Sequence, residues 1–358
     1  MLKLVILIIY FAVLIGIGLY CRKHATDVNG FVLGGRSVGP WLTAFAYGTS
    51  YFSAVVFVGY AGQFGWKYGI AATWAGIGNA IIGSLLAWVV LGRRTRIMSQ
   101  HLDSATMPQY FGKRFGSNPL KIGASVIIFI FLIPYTASLY NGLSRLFGMA
   151  FNIDYSVCII IMATLTAIYV IAGGYMATAI NDFIQGIIML FGIVAVIAAV
   201  IHSKGGFMSA LQGLANVSDP AVSDTSGIFA SFFGPDPFNL LCVVILTSLG
   251  TWGLPQMVQK FYAIDNEASI QKGTVISTIF ALIVSGGCYF LGGFGRLFSD
   301  QIDVKANGFD SIIPTMLSNL SPALIALVVI LVLSASMSTL SSLVIASSST
   351  LTFCSSSR

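Results

Sequence analysis

The chain has 358 residues, 56% of them hydrophobic and only 8% charged, and carries a net charge of +6. An ordinary soluble domain is about 25% charged, so the composition excludes a water-soluble globule and predicts one polytopic membrane bundle. Five scattered cysteines without CxxC spacing, three isolated histidines and a single glutamate (Glu267) offer neither a disulfide framework nor a triad or carboxylate pair, so no enzyme is expected.

Apolar runs punctuated by charges, glycine and proline predict nine spans, near residues 2–20, 40–62, 70–92, 119–147, 154–176, 182–202, 238–259, 273–295 and 322–351. The first reads as a retained helix, because Cys21-Arg22-Lys23 follows it directly and no small-residue cleavage site is present. The second is interrupted by the glycine and small polar residues of Ala46-Tyr47-Gly48-Thr49-Ser50-Tyr51-Phe52-Ser53-Ala54. Arg36 precedes it, and Asp182 stands at the expected start of the sixth span; both are candidate gate contacts, and both also suit solvated anchors. The stretch 203–236 reads as a long external loop.

The seventh span carries Thr247-Ser248-Leu249-Gly250-Thr251-Trp252-Gly253-Leu254-Pro255, in which proline removes a helical donor and the glycines lower the cost of unwinding. Either interruption alone fits a kink or a packing stripe. Paired interruptions five spans apart fit an inverted-repeat transporter, because irregular backbone in a bilayer must be buried or line a wet cavity. In the ninth span Ala335, Ser338 and Thr339 share a helix face, so a carbonyl and two hydroxyls converge. Such neutral oxygens suit a small hard cation, although small residues also serve ordinary helix contacts.

Alternate loops hold twelve and six basic residues, with Lys260 counted among the twelve. This places the amino terminus outside and the carboxyl terminus in the cytoplasm of a plasma-membrane protein. The positive charge thus follows membrane topology and implies no nucleic acid; the expected surroundings are the lipid bilayer and a small organic solute, and no oligomer is required.

Four stretches, in this order and with these spans between them, resemble the sodium:solute symporters, which include bacterial proline and pantothenate carriers. They are Gly34-Gly35-Arg36-Ser37-Val38-Gly39-Pro40, Thr106-Met107-Pro108-Gln109-Tyr110-Phe111-Gly112-Lys113-Arg114-Phe115, Gly173-Gly174-Tyr175-Met176-Ala177 with Asn181-Asp182-Phe183-Ile184-Gln185, and Ala335-Ser336-Met337-Ser338-Thr339-Leu340. The resemblance implies an all-α, inverted-repeat helical bundle of the leucine-transporter type in a single domain. An extra amino-terminal helix (1–22) would precede a first five-helix repeat (40–202) and an incomplete second repeat (238–352). It implies sodium-coupled symport of an organic acid or amino acid by alternating access, with sodium as the co-transported ion. The implied sodium ligands are the carbonyls of Thr49, Phe52 and Ala335 and the hydroxyls of Ser338 and Thr339.

The solute is less defined. Proline carriers have an aspartate at the position of Tyr51, and a Trp and a Tyr at Thr247 and Thr251; sugar carriers place polar residues near Val55 and Val56. The run Thr49–Ala54 looks closer to the pantothenate and monocarboxylate branch, with Tyr51, Val55, Asn141, Thr251, Trp252 and Gln256 as candidate pocket residues. The family pattern continues for at least two more core helices, so the second repeat is expected to be truncated. A membrane-embedded sensor or binding module, or a non-functional fragment, is the alternative.

Overall fold

The computed structural model describes residues 2–151, 154–318 and 320–355. Helix α1 (Leu2–Cys21) lies against α8. Helix α2 (Pro40–Tyr51) opens with proline at its first position, where the missing N–H has no helical partner to lose. It ends at Phe52, whose φ of −107° and ψ of 102° are extended. Wider π-type turns then run over Val55–Tyr60 into α3 (Ala61–Tyr68), so the second span is broken as expected.

The third passage consists of α4 (Thr73–Gly78), π-type turns over Asn79–Leu86 and Trp88–Gly92, and α5 (Arg93–His101). It outruns its expected end at residue 92. Arg96 is buried rather than in a loop, donating to the carbonyls of Ile264 (2.5 Å) and Asp265 (3.0 Å). Helix α6 (Met107–Phe115) and α7 (Asn118–Phe151) follow.

Helix α8 (Tyr155–Ser203) has 49 residues. Straight, it would measure about 73 Å against a hydrocarbon core of about 30 Å. It turns at Gly174, with φ 55° and ψ −150°, a conformation open to glycine. The sixth span therefore begins at the Gly174 turn, and Asp182 sits two turns inside it rather than at its end.

Helices α9 (Pro237–Leu249) and α10 (Pro255–Ala263) are bent by 53° and form the second broken span. Helix α11 (Glu267–Gly293) and α12 (Pro322–Ser355) complete the bundle. Among the described residues five helices are long and apolar enough to cross a membrane, and the bent pair, taken as one span, makes a sixth. Two of the five, Val55–His101 and Ser156–Ser203, contain a glycine at positive φ, Gly69 and Gly174, and each therefore divides into two passages.

Two contacts set the interior. Helices α8 and α12 pack along each other and over α2. The second half of the broken span, α3, interlocks with α11 backbone to backbone: a Cβ on Gly65 would fall 1.9 Å from the Gly292 carbonyl oxygen, and one on Gly292 would fall 2.0 Å from that of Ala61.

Candidate ion and solute site

The break after α2 frees carbonyls. The last helical bond of α2 joins the Phe52 N–H to the Gly48 carbonyl at 3.3 Å, so the next carbonyls lack the donors that a continuous helix supplies. Ser338 and Thr339 of α12 meet this end, their hydroxyls lying 3.1 and 3.5 Å from the Thr49 carbonyl. The same hydroxyls lie 3.1 and 3.0 Å from the Ala335 carbonyl, one turn back on their own helix. Thr49, Ser338 and Thr339 are fully buried. Four oxygens from sequence positions nearly 300 residues apart (289 between Thr49 and Ser338) thus converge. Phe52 lies at the break itself, buried, and no hydrogen bond to its carbonyl occurs among the described residues.

One turn further along α12, a polar chain leads away from this cluster. Ser50 and Ser342 share a hydrogen bond of 2.9 Å, Ser342 Oγ accepts from Lys260 Nζ at 2.9 Å, and Lys260 Nζ stands 3.5 Å from Asp182 Oδ2. Lys260 is 1% exposed and Asp182 0%. This corrects the loop assignment of Lys260: α10 extends to Ala263, so the lysine lies on its second turn, inside the bundle. Among the described residues neither Asp182 oxygen accepts a hydrogen bond, and Lys260 is the one cation beside the carboxylate. The sequence reading missed Lys260; the apolar run Phe261–Ile264 after it signalled that the helix continues.

Arg36 is likewise no solvated anchor. Its guanidinium donates to Ser104 O (2.9 Å), Ser99 Oγ (3.3 Å), Ser99 O and Tyr262 O (both 3.4 Å). The neighbouring Val38 pairs with the chain after α10, through Val38 N to Ala263 O and Asp265 N to Val38 O. The loop before α2, the end of α5 and the end of α10 are therefore clipped together.

On the other side of the break a cavity of about 300 Å³ is bounded by Tyr51, Val55, Tyr60, Asn79, Tyr135, Thr251 and Tyr289, among others, with no charged side chain. Tyr51 and Thr251 line it, as does Val55. The Tyr51 hydroxyl lies 3.0 Å from the Thr247 carbonyl and 3.1 Å from Asn79 Oδ1, tying the first break to the second. Three candidates fall elsewhere. Asn141 is exposed on α7 and does not border the cavity, because a lone amide in an apolar helix carries no information on which way its face turns. Trp252 donates its indole N–H to Ile82 O at 2.9 Å and anchors the second break to the third passage. Gln256 is fully buried and does not border the cavity, and both its amide atoms lack a partner among the described residues.

The family model for the sodium:solute symporter family matches residues 31–353. The chain belongs to the sodium:solute symporter family. Sodium/proline symporters of Staphylococcus aureus strains JH9 and COL are each 30% identical to it, over 97% of this chain and 67% of theirs. A solved structure of a Na+-coupled sialic acid symporter, substrate-bound and outward-open, superposes with a TM-score of 0.82 at 16% identity, covering 99% of this chain and 73% of that one. The fold is thus the inverted-repeat helical bundle, and the family's activity is sodium-coupled symport of a small solute across a membrane, with sodium as the co-transported ion.

Proposed function

We propose that the Thr49 and Ala335 carbonyls and the Ser338 and Thr339 hydroxyls, with the Phe52 carbonyl, hold the transported sodium, and that the cavity beside them holds a small carboxylate-bearing solute. The observation that carries this is the meeting of two α12 hydroxyls with a carbonyl freed by the α2 break. Hydroxyls that now donate to Thr49 and Ala335 can turn their lone pairs to a cation, and oxygen is the ligand atom hard cations take. No carboxylate is in the set, so the bound ion carries its full charge across the membrane. One charge across 100 mV is worth about 2.3 kcal/mol; a tenfold sodium gradient adds about 1.4 kcal/mol. Together these support a several-hundred-fold accumulation of a neutral solute.

The solute reading rests on the cavity. At about 300 Å³ it is at the small end of ligand sites, and its lack of charged side chains leaves a carboxylate to meet free amides at the breaks and the sodium itself. An amino acid, as the relatives' names suggest, and a monocarboxylate both fit. They differ in charge: uptake of a zwitterion with one sodium moves net charge, and uptake of a monocarboxylate does not. Uptake screened over amino acids and organic acids, with and without an imposed potential, separates them.

Arg36 and the Lys260–Asp182 pair serve as the closure on the basic face, which is the cytoplasmic one by the lysine and arginine count, with the amino terminus outside. Opening that face separates α10 from α8 and α12, so the pair must part in each cycle. The decisive experiment is ²²Na binding to the purified chain. Ser338→Ala with Thr339→Ala removes two ligands and is expected to weaken sodium binding by about a hundredfold or more, given about 1–3 kcal/mol per unmet buried polar group. Unchanged binding with normal insertion refutes the site.

A further inference from the structure

Where α6 hands over to α7, a pocket of about 530 Å³ opens on the basic face, lined by Gln109, Lys113, Ser117, Asn118, Lys121 and Phe353, with glycines between them. Among the described residues no acidic side chain borders it, so two lysine charges stand there without a described carboxylate to balance them. Lys113 Nζ donates to the backbone carbonyl of Asp103 at 2.7 Å, which orients the amine without neutralising it. Among the described residues no hydrogen bond or ion pair reaches the Lys121 ammonium.

The fold holds Lys121 in place from behind. Its stem crosses Gly112 of α6 so closely that a Cβ on that glycine would fall 2.8 Å from the Lys121 Cβ. The pocket also receives the amino end of α7, a 34-residue helix with no acidic residue in its first turn; Ser117 takes the Leu120 and Lys121 N–H groups, Pro119 has none, and the Asn118 N–H makes no backbone bond among the described residues. The positive end of a long helix and two lysines therefore face one space. Phe115 (68% exposed), Leu120 and Ile122, just before and at the start of the apolar α7, present apolar surface.

We propose that this pocket holds the headgroup phosphate of an anionic phospholipid, with the acyl chains lying along Phe115, Leu120 and Ile122. A phosphate diester matches the charge, basic pockets between membrane helices suit such headgroups, and the apolar skirt suits the rest of the same molecule. The site is separate from the ion and solute site and does not depend on it.

The test offers phosphatidylglycerol or phosphatidylcholine to the delipidated, detergent-purified chain and counts retained lipid by native mass spectrometry. One phosphatidylglycerol should be held at least tenfold more tightly than phosphatidylcholine, and Lys113→Gln with Lys121→Gln should abolish the preference. Arg22→Gln with Lys23→Gln, which removes two charges from the same face outside the pocket, should leave it intact. Equal retention of the two lipids by the unsubstituted chain overturns the proposal, whatever the variants do; so does an undiminished preference in the double lysine variant. If inorganic phosphate binds to the unsubstituted chain while phosphatidylglycerol is not retained, the site belongs to a soluble anion and the lipid assignment is wrong.

Discussion

The two broken spans reach the same end by different means. Around the second break, Gly250, Gly253 and Pro255 interrupt the helix within six residues, and the backbone there is half-buried or exposed. Local bonds hold its turn, Leu254 N to Thr251 O (3.3 Å) and the Thr251 hydroxyl to Ser248 O, and the Trp252 indole reaches Ile82 O. The first break has neither proline nor glycine between Tyr51 and Ala54, yet it is wholly buried and met by hydroxyls from α12. One break is written into the local chain; the other is imposed by tertiary contacts that reward the freed carbonyls. The proposed ion site is at the break whose shape depends on its neighbours, where the α12 hydroxyls and the irregular backbone stabilise each other.

The strongest way to disturb this contrast is through Lys260, which sits on the inner half of the second broken span and reaches Ser342 and Ser50 beside the first. Lys260→Met leaves Asp182 buried without a partner and should destabilise the chain by about 3–5 kcal/mol. Adding Asp182→Asn should restore most of that loss, read by thermal unfolding in detergent. If the single and double variants unfold together, the pair is not what joins the two regions.

Tyr51→Phe is next. It removes the hydroxyl bridging to Thr247 and Asn79, and a lost buried hydrogen bond costs about 1–3 kcal/mol. Solute affinity should fall by about tenfold while sodium binding in the absence of solute changes by less than about threefold. An equal loss of both would move Tyr51 from the cavity to the ion site.

The smallest effect is expected from Pro255→Ala. Proline at the start of a helix costs little, and its removal frees Leu254 to turn helical. Spin-label distances across α9 and α10 should show a smaller bend, with sodium binding within about twofold of the unsubstituted chain. A large loss of sodium binding would show that the second break shapes the ion site after all.

Much of the proposed ion site was legible in the sequence. Ser and Thr placed three and four residues after Ala335 can only line one helix face, and a polar interruption in the second span needed a partner to satisfy it. Family resemblance joined the two stretches, which spacing alone does not. The charged pair was not readable in the same way. Lys260 ends an apolar run and was counted with the loop charges, because where the helix stops depends on the Tyr262 and Ile264 carbonyls, which accept from Arg36 and Arg96 at the end of α10. Asp182 was displaced by the position of one turn, which falls at Gly174. Asn141 failed for want of phase: α7 is apolar on most sides, and only its neighbours decide which side faces inward.

The glycine interlock of α3 and α11 has a mechanical corollary. Backbones that touch without intervening side chains have no rotamers with which to slide, so α3 and the stretch of α11 beside it resist displacement against each other. Helix α11 also packs on α2, where a Cβ on Gly48 would fall 2.3 Å from the Phe280 ring, so it braces both halves of the broken span, and any hinging at residues 52–54 has to part it from one of them.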